Sequence, residues 1–225
     1  MIKNIIFDLD GLLVNSELMT YEFYKKILNT RGHSFTLKEY TDIYCGRTAV
    51  KNLSELINKY KLPFSVDEGL VMTHENEEEY MREKGVPLKK GAKNLLDYLK
   101  KNGYRIYLAS SSGKERADKI LQTNGIDGYF DDCVFGDEIE HSKPAPDIFL
   151  KARDKAAANS EDCLVLEDSD AGIHASFAAD IPVICVPDLK QPSEESRKMA
   201  ALILPSLDEV TEFLKKDRST SDKII

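Results

Sequence analysis

Residues 5–11 read IIFDLDG, an apolar run that ends abruptly in two aspartates and a glycine. Residues 163–172 read CLVLEDSDAG and follow the same plan, with an apolar run that ends in acids. A carboxylate beside a buried strand is costly to desolvate unless a cation or hydrogen bonds compensate it. If the two strands are neighbours, their carboxylates converge, and Mg²⁺ with its oxygen ligands is the natural cation for that point.

The rest of the chain repeats the alternation of short apolar runs and amphipathic segments. Such runs are typical of strands buried on both faces of a parallel sheet. The predicted fold class is therefore α/β, with a doubly wound, Rossmann-like core. Strands are predicted at 2–7, 105–109, 133–135, 163–166, 183–186 and 202–204, and helices at 92–101, 114–122, 146–158, 171–179 and 207–215.

One stretch breaks this alternation, because residues 16–84 contain only helical patterns. We expect helices at 16–30, from Thr36 to Gly46, at 48–60 and at 66–83. The predicted domains are a core of residues 1–15 and 86–216 and an inserted α-helical cap domain of residues 16–85. An insert at this point is expected to cover the sheet edge where open α/β sheets bind ligands. The polar tail 217–225 is expected to fray.

Composition narrows the possible partners. The chain has 225 residues and a formal net charge of -8, which argues against nucleic acid and anionic membranes as partners. No signal peptide or membrane-spanning stretch is recognisable. The four cysteines lack CxxC spacing and are interpreted as reduced core residues. These features predict a cytoplasmic protein and do not exclude an anionic small molecule as its substrate. A monomer is the default for the oligomeric state.

The first acidic pair carries the proposed chemistry. Strand-like alternation places Asp8 and Asp10 on the same side of the chain, with Leu9 opposite. A carboxylate beside a metal ion can attack phosphorus, and a second carboxyl two residues later can transfer protons. Gly11 permits a sharp turn and a close backbone approach. The alternative is a solvated acidic turn at a strand end.

Three further positions suit phosphate chemistry. Ser110 and Ser111 lie between a strand and a helix, where hydroxyl and N–H groups can hold phosphate, although a simple helix cap is an alternative. Lys143 lies in a loop before a helix and can neutralise a phosphoryl oxygen, although a surface lysine is the default. Asp168 is the predicted metal ligand of the second pair, and Glu167 is expected to reach the metal directly or through water.

These motifs together resemble those of the haloacid dehalogenase superfamily, in its β-phosphoglucomutase-like branch with a helical cap. The resemblance covers nearly the whole chain and rests on four motifs in order: Asp8-Leu9-Asp10-Gly11, Ser110, Lys143, and Glu167-Asp168.

The resemblance implies a role for each motif residue. Asp8 is the implied nucleophile and a Mg²⁺ ligand, and Asp10 is the general acid/base that also gives its backbone carbonyl to the metal. Ser110 and Lys143 hold the transferring phosphoryl group. Asp168 completes the protein ligands of the metal, with Glu167 beside it.

Two departures from the mutase pattern favour a hydrolase. Thr20 lies four residues after Ser16, at the position where the mutase pattern has a histidine. The cap loop, residues 45–48, reads Cys-Gly-Arg-Thr, whereas the mutase loop resembles Lys-Gly-x-x-Arg. The predicted function is a Mg²⁺-dependent phosphatase for a small phosphorylated metabolite, a sugar phosphate by preference. Thr20, Gly46 and Arg47 are the candidate substrate-binding residues of the cap. A phosphomutase and a non-catalytic phosphometabolite-binding regulator are the alternatives.

Overall fold

The computed structural model describes residues 2–219, and these form two compact units. One unit comprises the residues up to Val14 and those from Leu88 onward, and the other comprises Asn15–Pro87. Val14 and Leu88 form an antiparallel bridge, so the two connections to the second unit leave the first unit side by side. The predicted domain boundaries, after residues 15 and 85, differ from these by one and two residues.

The first unit is built on one parallel sheet, as the alternation of apolar and amphipathic segments predicts. Its strand order is β3-β2-β1-β4-β5-β6, so the chain starts in the centre and winds outward in both directions. The strands are β1 (Asn4–Phe7), β2 (Arg105–Ser110), β3 (Asp132–Phe135), β4 (Cys163–Glu167), β5 (Val183–Cys185) and β6 (Leu202–Ile203).

Apolar side chains from the three central strands form a core on one face of the sheet. Ile6, Tyr107 and Val165 belong to one buried cluster with Phe149 and Ile173, which lie on two covering helices. The neighbouring residues along these strands point to the other face and are equally buried. Because both faces are covered, the strands read as continuous apolar runs instead of alternating ones.

The helices of the first unit agree with the predicted segments, with two differences. A short helix at Glu194–Met199 was not predicted, because it is brief and polar; Ser193 caps it. The last helix continues to Ser219, so the predicted tail begins inside a helix, and residues 220–225 lie outside the described residues. The helices are α5 (Ala92–Lys101), α6 (Lys114–Thr123), α7 (Asp147–Lys155), α8 (Asp170–Ala178), α9 (Glu194–Met199) and α10 (Leu207–Ser219).

The second unit is all-helical, and its residues 15–87 contain no β-strand. The helix predicted from Thr36 to Gly46 is split into a single α-turn and a π-helical segment, Tyr40–Tyr44. Ser65 and Glu68 form a reciprocal capping box at the start of the last helix. The helices are α1 (Ser16–Asn29), α2 (Leu37–Glu39), α3 (Ala49–Tyr60) and α4 (Val66–Glu83).

The structure also bears on the cysteines and on membrane spans. All four cysteines are free thiols; Cys133 is partly buried and the others are buried, as expected of reduced core residues. Among the described residues, no helix combines the length and the apolar composition needed to cross a bilayer.

Candidate active site

The sheet register brings the two acidic pairs together. Phe7 pairs with Leu166, and the backbone N–H of Asp8 continues the ladder by donating to the Leu166 carbonyl at 3.0 Å. Asp8, which directly follows β1, therefore lies beside Glu167 and Asp168 at the end of β4. One carboxylate oxygen from each of these three acids lies within 4.8 Å of the other two. β1 and β4 are therefore neighbours in the sheet, as the sequence predicts.

Lys143 lies among these acids and is not a surface lysine. Its Nζ atom is 2.5 Å from Asp8 Oδ1, 2.7 Å from Glu167 Oε1 and 3.3 Å from the Ala109 carbonyl oxygen. Only 6% of its side chain is exposed. Burial alone lowers the pKa of Lys143, but the charges of Asp8 and Glu167 outweigh burial and raise it. The ammonium therefore stays charged at neutral pH.

Burial and the proximity of like charges make ionisation of the carboxyl groups at this site unfavourable. Burial raises the pKa of Asp8 to about 7, although Lys143 opposes the shift. Burial first, and then the charges of Glu167 and Asp8, raise the pKa of Asp168 well above its ordinary value. If all three carboxylates ionise, the Lys143 ammonium offsets one of them and two negative charges remain in a buried space. A divalent cation with oxygen ligands fits this set.

Glu167 uses both carboxylate oxygens in contacts with the protein. Oε1 accepts from Lys143, while Oε2 accepts from the backbone N–H groups of Asp168 at 2.7 Å and Ser169 at 2.8 Å, and from the Ser169 hydroxyl. A Cβ atom on Gly172 would lie 1.9 Å from Oε1, so glycine is required to seat this side chain. The contacts favour a positioning role, and direct metal ligation by Glu167 stays a prediction.

Gly11 lies directly against the second acidic pair. Its φ of +87° belongs to the left-handed region, and its N–H donates to the Val14 carbonyl in a tight turn. A Cβ atom at this position would lie 2.2 Å from Asp168 Oδ2. Glycine is therefore needed both for the turn and for the close approach of the backbone to a carboxylate.

Asp10 is held by two side chains that the sequence argument did not identify. Ser112 Oγ donates to Asp10 Oδ2 at 2.7 Å, and Arg116 Nη1 donates to the same oxygen at 2.9 Å. Arg116 also donates to Ser112 Oγ at 2.6 Å. A cation in the first turn of α6 opposes the helix dipole, but Lys114 shares this placement and pairs with Asp118, so the sequence does not single out Arg116.

The predicted phosphate-binding serines differ in environment. Ser110 is the last residue of β2 and is fully buried, and its Oγ accepts the N–H of Ser112 at 3.1 Å. Ser111 is exposed. The first N–H of α6, from Lys114, donates to Asp137 at 3.0 Å and is already used. Phosphate binding by Ser110 and Ser111 stays a prediction.

The three candidate residues of the cap all lie in the second unit and make contacts there. The Thr20 hydroxyl donates to the Ser16 carbonyl within α1. Gly46 adopts a φ of +73° at the turn before α3. Arg47 forms an ion pair with Glu55 at 2.8 Å, and about one third of its side chain is exposed. No contact among these three residues accounts for a binding site, and their roles stay predictions.

Comparison with known proteins agrees with this geometry. Residues 5–186 match the family model of haloacid dehalogenase-like hydrolases. A bifunctional riboflavin kinase/FMN phosphatase from Arabidopsis thaliana is 34% identical over 82% of the chain, which spans 48% of that relative. A probable pseudouridine-5'-phosphatase from Drosophila melanogaster is 32% identical over 92% of the chain and 90% of its own length.

The structural comparison extends to both units. A crystal structure of β-phosphoglucomutase from Clostridium difficile aligns with a TM-score of 0.73 at 26% identity. The alignment covers 97% of this chain and 98% of that one. The predicted family and branch are confirmed. This chain is a member of the haloacid dehalogenase-like hydrolase family, in the branch that includes β-phosphoglucomutase.

Proposed function

We propose that this chain is a Mg²⁺-dependent phosphatase that hydrolyses a small phosphorylated metabolite, with sugar phosphates as the first candidates. The observation that carries the proposal is the position of Asp8. Its carboxylate is buried between the Lys143 ammonium and the Asp168 carboxylate at the carboxyl edge of a parallel sheet. Open α/β sheets bind their ligands at this edge.

The metal would be held by the carboxylates of Asp8 and Asp168 and by the backbone carbonyl of Asp10. When bound, Mg²⁺ supplies positive charge that offsets these carboxylates and the oxygens of a phosphoryl group. Lys143 adds a fixed positive charge beside Asp8. We propose that Lys143 and the serines at the end of β2 bind and orient the phosphoryl group, so that its phosphorus faces Asp8.

Two displacements complete the proposed reaction. In the first, an oxygen of the Asp8 carboxylate bonds to phosphorus while the ester P–O bond breaks, and Asp10 gives its carboxyl proton to the departing alkoxide. In the second, a water oxygen bonds to phosphorus and passes a proton to the Asp10 carboxylate, and the bond from Asp8 to phosphorus breaks. The sum is hydrolysis to an alcohol and inorganic phosphate, with both aspartates restored.

The substrate class is proposed from the relatives and from the chemistry of the site. The two curated relatives described above are named for FMN and pseudouridine-5'-phosphate, both phosphate esters of alcohols. We propose that Arg47, Gly46 and Thr20 contribute to recognition of the non-phosphate part of the substrate. The proposed partners remain a small metabolite and no macromolecule, and the proposed setting is a monomer in the cytoplasm.

A screen of phosphorylated metabolites with free phosphate as the readout tests this function. We expect several sugar phosphates to release phosphate in the presence of Mg²⁺. Asp8→Asn keeps the shape of the side chain but removes the nucleophile, so we expect phosphate release to fall by at least ~10³-fold while the melting temperature is kept. Turnover by Asp8→Asn at the wild-type rate would refute the proposed role of Asp8.

A phosphomutase is the second candidate, favoured by the likeness to β-phosphoglucomutase. In a mutase, the second nucleophile is a substrate hydroxyl instead of water. Isomerisation of a sugar phosphate that is faster than phosphate release would select this alternative. A purely regulatory binding protein is disfavoured by Asp10, because a proton-transferring carboxyl held by Ser112 and Arg116 serves no purpose in binding alone.

A further inference from the structure

Asp10, Ser112 and Arg116 form a closed triangle of hydrogen bonds beside the proposed nucleophile. Asp10 Oδ2 accepts from Ser112 Oγ and from Arg116 Nη1, and the same guanidinium nitrogen donates to Ser112 Oγ. All three distances lie between 2.6 and 2.9 Å. The Asp10 and Arg116 side chains are 31% and 25% exposed, so solvent screens this ion pair only in part.

The triangle is anchored to the sheet and not to a mobile surface. Ser112 follows β2 directly, and its N–H donates to the buried Ser110 Oγ. Arg116 lies in the first turn of α6, whose first N–H is fixed by Asp137. The two donors to Asp10 are therefore set by the end of a central strand and the start of the following helix.

An aspartate side chain needs such contacts to present one geometry. Its terminal torsion is broad, so the carboxyl group rotates readily when neighbouring groups do not hold it. Charge-assisted hydrogen bonds from two directions fix both the rotamer and the plane of the carboxyl group. Proton transfer to a departing oxygen depends steeply on this placement.

We propose that Arg116 is a positioning residue, which acts with Ser112 to hold the Asp10 carboxyl group in the orientation needed for proton transfer. The inference rests on the proposed phosphatase function and adds to it a residue outside the four motifs. In this proposal Arg116 acts through Asp10, to which it donates, and not on the phosphoryl group. Its removal therefore affects substrates whose leaving group needs a proton more than substrates whose leaving group does not.

The test compares two leaving groups in Arg116→Met, which keeps an unbranched apolar stem and removes both hydrogen bonds. One substrate is the sugar phosphate with the highest turnover in the metabolite screen. Its leaving group is a strongly basic alkoxide. The other is p-nitrophenyl phosphate, whose leaving group is a weakly basic phenolate. The readout is kcat/KM, because it covers all steps through departure of the leaving group.

We expect kcat/KM for the sugar phosphate to fall roughly 10- to 100-fold, part of the full effect of a general acid. For p-nitrophenyl phosphate we expect a fall of less than about threefold on the same reasoning. Arg153→Met is the matched control, because that arginine pairs with Asp154 on the surface of α7 and is expected to leave both values unchanged. Equal losses for the two substrates, or no loss for the sugar phosphate, would overturn the inference.

Ser112→Ala provides a second test if Arg116→Met does not fold, as judged by circular dichroism. It removes the other donor to Asp10 Oδ2 and is expected to give the same selective loss, and a loss without selectivity would overturn the inference. Phosphate release by the wild-type protein distinguishes failure of the positioning role from failure of the proposed phosphatase function. Wild-type phosphate release with insensitive Arg116 and Ser112 variants would remove only the positioning role. Absence of release from every substrate would remove the phosphatase function itself.

Discussion

The backbone of Gly11 lies so close to the Asp168 carboxylate that a single added methyl group would overlap it, with a Cβ–Oδ2 separation of 2.2 Å. The turn that follows the proposed nucleophile is thus packed directly against the proposed metal ligand. This contact links the first and last motifs of the family at atomic distance. It also provides a sharp test of the site.

Gly11→Ala is expected to disrupt the proposed metal site. The new methyl group must displace the Asp168 carboxylate, and the positive φ adds strain of roughly 1–2 kcal/mol. Gly103→Ala is the matched control, because Gly103 has a φ of +75° but no atom lies within 4 Å of the point that its Cβ would occupy. We expect both variants to lose melting temperature, with the larger loss in Gly11→Ala because of the overlap with Asp168, and we expect phosphate release to fall, by at least ~100-fold, only in Gly11→Ala. Full activity in Gly11→Ala would contradict the proposed ligand.

Lys143→Met is expected to reduce both stability and activity. The substitution leaves Asp8 and Glu167 buried without their shared cation, which costs about 3–5 kcal/mol in comparable buried pairs. Lys151→Met removes an exposed pair with Glu138 and should cost less than ~1 kcal/mol. Urea unfolding in EDTA measures both values, and phosphate release measures activity. A Lys143→Met protein as stable and active as the control would show that the buried contacts are dispensable.

Removal of divalent metal is expected to stop phosphate release, and Mg²⁺ should restore it. Binding can be followed without turnover, because a ligand that binds the folded state raises the melting temperature. We expect Asp168→Asn to need at least ~10-fold more Mg²⁺ for the same rise, since one charged ligand is lost. Asp170→Asn is the control, because Asp170 accepts the Ser193 N–H and lies outside the acidic cluster. Metal-independent turnover would refute the cofactor assignment.

In the metal-free protein, the Asp8 carboxyl should contribute a loss of stability as the pH rises from about 4 to about 7. The pKa of Asp8 is about 7 in the folded protein against an ordinary value of 3.8, mainly because of burial. Across this window the folded state holds a proton that the unfolded chain has released, so the free energy of unfolding falls with rising pH. Asp8→Asn lacks this titration and should show a flatter profile in EDTA. Parallel profiles for the two proteins would show that Asp8 does not titrate in this range.

The strands and their acids could be predicted from the sequence because buried parallel strands are continuous apolar runs, and an acid ends such a run abruptly. Asp8 and Asp168 followed from that pattern. The contacts that orient the site could not be predicted in the same way. Arg116 and Asp10 are 106 residues apart in the chain, and nothing in their local spacing specifies the pair. The contacts of Glu167 with Lys143 and with the backbone after β4 were equally absent from the sequence pattern, and metal ligation by Glu167 stays a prediction.

The antiparallel bridge between Val14 and Leu88 has an evolutionary consequence. The chain departs from the sheet unit and re-enters it at two paired positions, so the 73 residues between Asn15 and Pro87 are inserted at a single point. A segment tethered in this way can be lengthened, shortened or exchanged for another without changing the strand order. We therefore expect chimeras that exchange residues 15–87 between homologues to keep the proposed catalytic residues of the sheet unit and to differ in the metabolite that they prefer.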